Sequence, residues 1–167
     1  NILFSENHSD LAKVIGEELV IRNQSVALAE SCTAGKICAW LASIPGASRY
    51  LLEGVIAYSN EAKIRSCQVP PAMILTYGAV SPEVAIQLAK GIRERANSTW
   101  GIGVSGIAGP GGGTSEKPVG TVDIAISGSN TSTHKRFSFH GTREQITDSA
   151  AAYALFMLLQ EIKKALP

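Results

Sequence analysis

Charge of either sign is scarce in this 167-residue sequence: 15 Lys and Arg stand against 14 Asp and Glu, for a formal net charge of +1. That near-cancellation removes any broad attraction to polyanions, so the expected partner is a small molecule, with no nucleic acid and no membrane. Aromatic residues make up only 6%, and no stripe interleaves them with basic residues as a nucleic-acid surface would. The three cysteines, Cys32, Cys38 and Cys67, contain no C-x-x-C pair, and an odd count leaves one over in a disulfide scheme. A reduced, cytoplasmic setting is expected. His8, His134 and His140 are not spaced like ligands and the acids do not cluster, so no metal site and no cofactor is expected. No apolar run approaches the roughly 18 residues that span a bilayer, and "NILFSENHSD" is not a basic region followed by an apolar one.

What is present is a globular composition, 45% hydrophobic with 16 glycines. The length suits one domain, taken as residues 1–167, with no repeat or linker. "DLAKVIGEELVIRN" carries Leu11, Val14, Ile15, Leu19 and Val20 near one helical face, with Ser9 or Asp10 as cap and Asn23 as stop. "SVALAE" reads as a buried strand and "TAGKICAWLASI" as a helix ended by Pro45-Gly46. "YLLEGVIAYS" is the next strand and "NEAKIRSC" a short helix from Asn60. Pro70-Pro71 break the chain. Ser81 caps a helix through "PEVAIQLAKGIRERAN", with Pro82 at its first position. "TWGIGVSGIAG" is a strand running into a glycine-rich loop, "VGTVDIAIS" and "STHKRFSFH" form a hairpin, and an alanine-rich helix from about Thr142 closes the chain. The alternation predicts an α/β fold, a three-layer α/β/α domain around a mixed sheet, with turns 30–35, 58–63 and 105–113 at strand carboxyl ends.

Each of those turns admits a chemical and a structural reading. In Glu30-Ser31-Cys32-Thr33 a hydroxyl can cap a helix or be a nucleophile beside oxyanion-binding N–H groups. Cys32 is either a competing nucleophile or a small buried residue. In "YSNEAK", Tyr58 and Lys63 can reach one strand end, where a desolvated lysine serves as base and a tyrosine relays the proton. A surface lysine beside a strand-end tyrosine is the alternative. The loop "SGIAGPGGGTSEKPVG" can bring N–H groups against phosphate, although it matches neither common nucleotide fingerprint; it can equally be a plain turn. Arg143 is suited to a phosphate contact or to solvent. Together the three turns point to a serine-centred hydrolytic site with an anion-binding wall.

Four blocks in order, "AESCTAG" (29–35), "YSNEAK" (58–63), "GAVSPEV" (78–84) and "SGIAGPGGG…KPVGTV" (105–122), resemble the nicotinamide-nucleotide amidohydrolases, the CinA carboxy-terminal domain family. The likeness runs to "AAYAL" in the last helix. It implies hydrolysis of the carboxamide of nicotinamide mononucleotide to nicotinate mononucleotide and ammonia. It makes Ser31 the nucleophile and Tyr58 and Lys63 its proton-handling partners. Backbone N–H groups near Cys32 and Thr33 would bind the oxyanion. Glu30, Gly35 and Asn60 join them in the pocket, and Ser105, Gly106, Ala108 and Gly109 with Arg143 would hold the ribose phosphate. A non-catalytic module that binds a pyridine nucleotide is the alternative. A homodimer through the last helix is expected. Two positions depart from the pattern: Ala34 stands where the family often has glycine, and Thr147 where it commonly has a second arginine.

Overall fold

In the computed structural model, which describes residues 8–165, the first strand, β1 (Val26–Glu30), lies inside the sheet and is buried along its whole length. Its side chains divide by parity, as a strand requires: Val26 and Leu28 enter one apolar cluster, Ala27 and Ala29 another. β2 (Leu51–Ile56) and β3 (Trp100–Gly106) pair parallel to it on either side. β4 (Thr121–Ser127) and β5 (Ser132–Ser138) continue antiparallel, in the order β2-β1-β3-β4-β5. The expected hairpin and the mixed sheet are both present.

One face packs against α1 (His8–Ile21), α2 (Lys36–Ala42) and α6 (Arg143–Lys164), which bury Ile15, Leu19, Ile37, Leu41, Leu155 and Leu158 against Leu28, Ile102, Val104 and Ile124. The other face packs against α3 (Asn60–Cys67), α4 (Pro71–Tyr77) and α5 (Pro82–Ala96), with Cys67, Val84, Leu88 and Ile92 over Ala27 and Ala29. The result is the three-layer α/β/α arrangement expected of the alternating pattern.

Two glycines let α5 lie on the sheet. A Cβ on Gly103 would come within 2.3 Å of the Ala85 carbonyl oxygen and 2.5 Å of the Ala89 nitrogen, and one on Gly101 within 2.0 Å of the Ala89 carbonyl oxygen. These are backbone atoms on the buried face of α5 and cannot swing aside. Gly103→Ala is therefore expected to destabilise the fold by about 3 kcal/mol or more, read as a lower urea midpoint with an unchanged slope.

Several boundaries differ from expectation. The described part of α1 already includes Ser9 and Asp10, so neither is its cap. α2 begins at Lys36 with Gly35 as its N-cap, and the Thr33 hydroxyl caps nothing. β2 ends at Ile56, leaving Tyr58 in the connection beyond the strand. Pro70 and Pro71 do interrupt the chain after α3, yet they also open α4, because a proline in the first turn gives up an N–H that has no helical partner. Ser81, by contrast, caps α5 as expected, its hydroxyl accepting from Val84 N at 3.3 Å.

This topology places a crevice. β1 runs on to α2 on one face and β2 to α3 on the other, so neighbouring parallel strands send the chain to opposite sides and their carboxyl ends part.

Candidate active site

Ser31 sits at that parting. Its backbone N–H donates to the Val104 carbonyl at 3.0 Å, extending the β1–β3 ladder one residue past the strand and fixing where the side chain emerges. The chain then turns through Ala34 at φ 50 and Gly35 at φ 93, both left-handed. Ala34 carries a Cβ in that region, at a cost of about 1–2 kcal/mol that glycine would avoid.

Glu30 explains how so tight a turn is held. It is 1% exposed, and its carboxyl group accepts from Gly35 N at 3.0 Å, Ile37 N at 3.2 Å and Cys38 N at 2.8 Å. The side chain thus caps α2 from the preceding strand and satisfies N–H groups that the first helical turn leaves without partners. Glu30→Gln turns an NH2 toward those donors and is expected to cost about 2 kcal/mol, measurable as a lower thermal midpoint.

Lys63, on α3, is the other half of the crevice. Only 2% of it is exposed, and burial holds its pKa below the ordinary lysine value of 10.5. Its Nζ lies 3.1 Å from Ser31 Oγ, 2.9 Å from the Ala57 carbonyl oxygen and 3.0 Å from that of Tyr58. The arrangement decides what the amine can do. A neutral amine has two N–H groups, which the two carbonyls accept; its lone pair is then left facing Ser31 Oγ–H. Register and capping place it there: Ser59 caps α3, accepting from Ala62 N at 3.0 Å, and Lys63 falls in the first turn.

The competing nucleophile is weak. Burial pushes the Cys32 thiol up to about 12, and the Glu30 charge adds to the rise, so the reactive thiolate is scarce near neutrality. Cys67, beneath Lys63, is likewise pushed up to about 11, chiefly by burial. Of the backbone donors around Ser31, Ser31 N, Ala34 N and Lys36 N serve the strand and turn, and Glu30 takes Gly35 N, Ile37 N and Cys38 N. The Thr33 N–H is not among those used, and the Cys32 N–H meets only its own thiol.

Tyr58 contributes through two different atoms. Its carbonyl accepts from Lys63, while its half-exposed hydroxyl accepts from Arg143 Nη2 at 2.8 Å. Arg143 Nη1 in turn donates to the Gly109 carbonyl at 2.7 Å, so one guanidinium ties the ends of β2 and β3 to the start of α6. A capping box of Thr142 and Gln145 fixes that helix start. Ser105 turns away from this group: its hydroxyl donates to the Ala79 carbonyl at 2.6 Å and pins the connection between α4 and α5. Gly106 is crowded by Cys32 Sγ and Val122, Ala108 is buried, and Asn60 is exposed at the first position of α3.

Beside Ser31 a cavity of about 430 Å³ is lined by Cys32, Thr33, Ala34, Gly35, Lys36, Ala39, Arg143 and Thr147. Lys36 has no motif signal of its own, since a lysine in the first turn of a helix reads as a solvated charge. Its place became visible only with α6 packed beside it, where Nζ donates to Thr147 Oγ1 at 2.9 Å and pairs with the Asp148 carboxylate. Among the described residues no three His, Cys, Asp or Glu side chains gather in a way that could hold a metal ion, and no helix is long and apolar enough to cross a membrane.

Comparison with known proteins follows the same lines. The model of the CinA C-terminal domain matches residues 8–162. A CinA-like protein of Anaeromyxobacter sp. (strain K) is 42% identical over 156 residues, 93% of this chain and 38% of that protein. The chain thus spans well under half of that relative's length. Among solved structures, the competence/damage inducible protein CihA from Agrobacterium tumefaciens matches with a TM-score of 0.91 at 35% identity, over 96% of this chain and 98% of that one. The competence damage-inducible protein A (ComA) from Klebsiella pneumoniae subsp. pneumoniae MGH 78578 matches with a TM-score of 0.93 at 31% identity, over 96% and 100%.

Proposed function

Because the chain belongs to the CinA C-terminal domain family, we propose that it hydrolyses the carboxamide of nicotinamide mononucleotide, giving nicotinate mononucleotide and ammonia. The observation that carries this reading is the contact between Lys63 Nζ and Ser31 Oγ at 3.1 Å, with the amine's other two contacts taken by backbone carbonyls.

Ser31 Oγ attacks the carboxamide carbon as its proton passes to the Lys63 lone pair. The oxyanion of the tetrahedral intermediate is met by the N–H groups of Cys32 and Thr33 at the start of the α2 turn. Lys63 then returns the proton to the departing nitrogen, the C–N bond breaks, ammonia leaves and a nicotinoyl ester of Ser31 remains. Water attacks that ester as Lys63 takes one of its protons. Lys63 then returns that proton to Ser31 Oγ as the acyl C–O bond breaks, which restores the serine and the free amine and releases nicotinate mononucleotide, whose new carboxylic acid ionises in water. Tyr58 acts through Arg143: their hydrogen bond and the Arg143–Gly109 contact hold the wall at 105–113 against α6, next to the substrate's ribose phosphate.

The test is direct. Purified protein treated with a chelator and given nicotinamide mononucleotide is expected to release ammonia and nicotinate mononucleotide in equal amounts. Tight binding without turnover would leave a pyridine-nucleotide-binding module instead.

A further inference from the structure

Two cations and an unpartnered hydroxyl line the cavity beside Ser31, and the catalytic steps use none of them. Arg143 opens α6, a helix of 22 residues whose amino end carries positive potential. Thr33 has a buried hydroxyl with no hydrogen-bond partner. Lys36 Nζ rests on Thr147 Oγ1 and the Asp148 carboxylate, with a quarter of its side chain exposed. A threonine hydroxyl is a weak acceptor compared with a dianionic oxygen, so one Lys36 N–H can pass from Thr147 to a phosphate while Asp148 keeps the stem in place. Asp148 neutralises part of the local charge, which makes the second cation necessary if a dianion is to be held there.

We propose that Lys36 supplies, alongside Arg143, the second cationic contact to the phosphate of a ribosyl phosphate ligand, reaching the cavity from α2 instead of α6. This rests on reading the substrate as a mononucleotide. The volume of about 430 Å³ leaves room for a ribose as well as its phosphate. Lys36 is the first residue of the helix whose preceding turn carries Ser31, so the group that recognises phosphate and the nucleophile move as one unit.

The experiment separates this inference from the amidohydrolase reading by using ribose 5-phosphate, which has no amide to cleave. Titration calorimetry is expected to show binding to the native chain. Lys36→Ala should weaken it about tenfold or more, as expected for one charge-assisted hydrogen bond. Lys36→Ala should also raise KM for nicotinamide mononucleotide by a similar factor with kcat within about twofold. Lys36→Arg, or Thr147→Arg added to Lys36→Ala, should recover much of the binding, because either restores a cation to the same wall. Unaltered ribose 5-phosphate binding in Lys36→Ala would overturn the inference. So would a loss that neither arginine relieves, since that marks a packing role. Lys36-dependent binding without ammonia release would support the phosphate contact while the amidohydrolase reading fails. Ammonia release with no ribose 5-phosphate binding would do the reverse.

Discussion

Ser31→Ala is expected to lower ammonia release from nicotinamide mononucleotide by about 10⁴-fold or more, the scale on which serine amidases lose rate without their nucleophile. The fold should survive the change. Among the described residues the Ser31 hydroxyl is hydrogen-bonded to Lys63 Nζ, and without it the amine keeps its two carbonyl acceptors, so stability should shift by only about 1 kcal/mol. Binding should survive as well, because the cavity walls at Arg143 and Lys36 are untouched. The chemical signature is the acyl-enzyme. Acid-quenched native protein should carry a nicotinoyl nucleotide on the peptide containing Ser31, and the alanine variant none. A label found on Cys32 would transfer the nucleophile's role to the thiol. The burial that pushes that thiol up to about 12 argues against such a result.

The fold was legible where the sequence carries local physics. The short apolar run of "SVALAE", the Ser81-Pro82 helix start and the paired strand patterns "VGTVDIAIS" and "STHKRFSFH" each encode their element within a few residues, and all three appear as read. What escaped depends on how the chain folds back on itself, over a few residues at Glu30 and Thr33 and over most of its length at Lys36. Glu30 looks like one more polar residue at a strand end until α2 folds back over it and offers three N–H groups. Thr33 reads as a helix cap by type, yet Glu30 already serves that helix, which leaves the threonine hydroxyl spare. Lys36 meets Thr147 and Asp148 across more than a hundred residues of sequence, a contact no local pattern can announce. Tyr58 and Lys63 share a motif, and proximity in sequence suggests one shared task. The tertiary contacts divide them: Lys63 Nζ turns to Ser31 and the Tyr58 hydroxyl turns to Arg143.

Lys63→Met tests the base. It is expected to cut kcat by about 10²–10⁴-fold, the usual contribution of a positioned proton acceptor, and to remove the acidic limb of the pH–rate profile. The sign follows from the environment. Burial lowers the Lys63 pKa from 10.5 and favours the neutral amine, which is the form able to accept the serine proton. The native rate should therefore rise with pH through the lowered value and fall away below it, and the methionine variant should show no such limb. Stability follows the same direction: between the lowered folded value and 10.5 the unfolded chain binds more protons than the folded one, so native stability should climb with pH across that window. In Lys63→Met that slope should vanish. Lys63→Arg distinguishes proton transfer from simple charge. Arginine keeps the positive end but does not give up its proton in this range, so a base role requires that it be as inactive as methionine. If Lys63→Arg retained most of the rate, Lys63 would be stabilising the oxyanion as a cation, and Ser31 would need another group to take its proton.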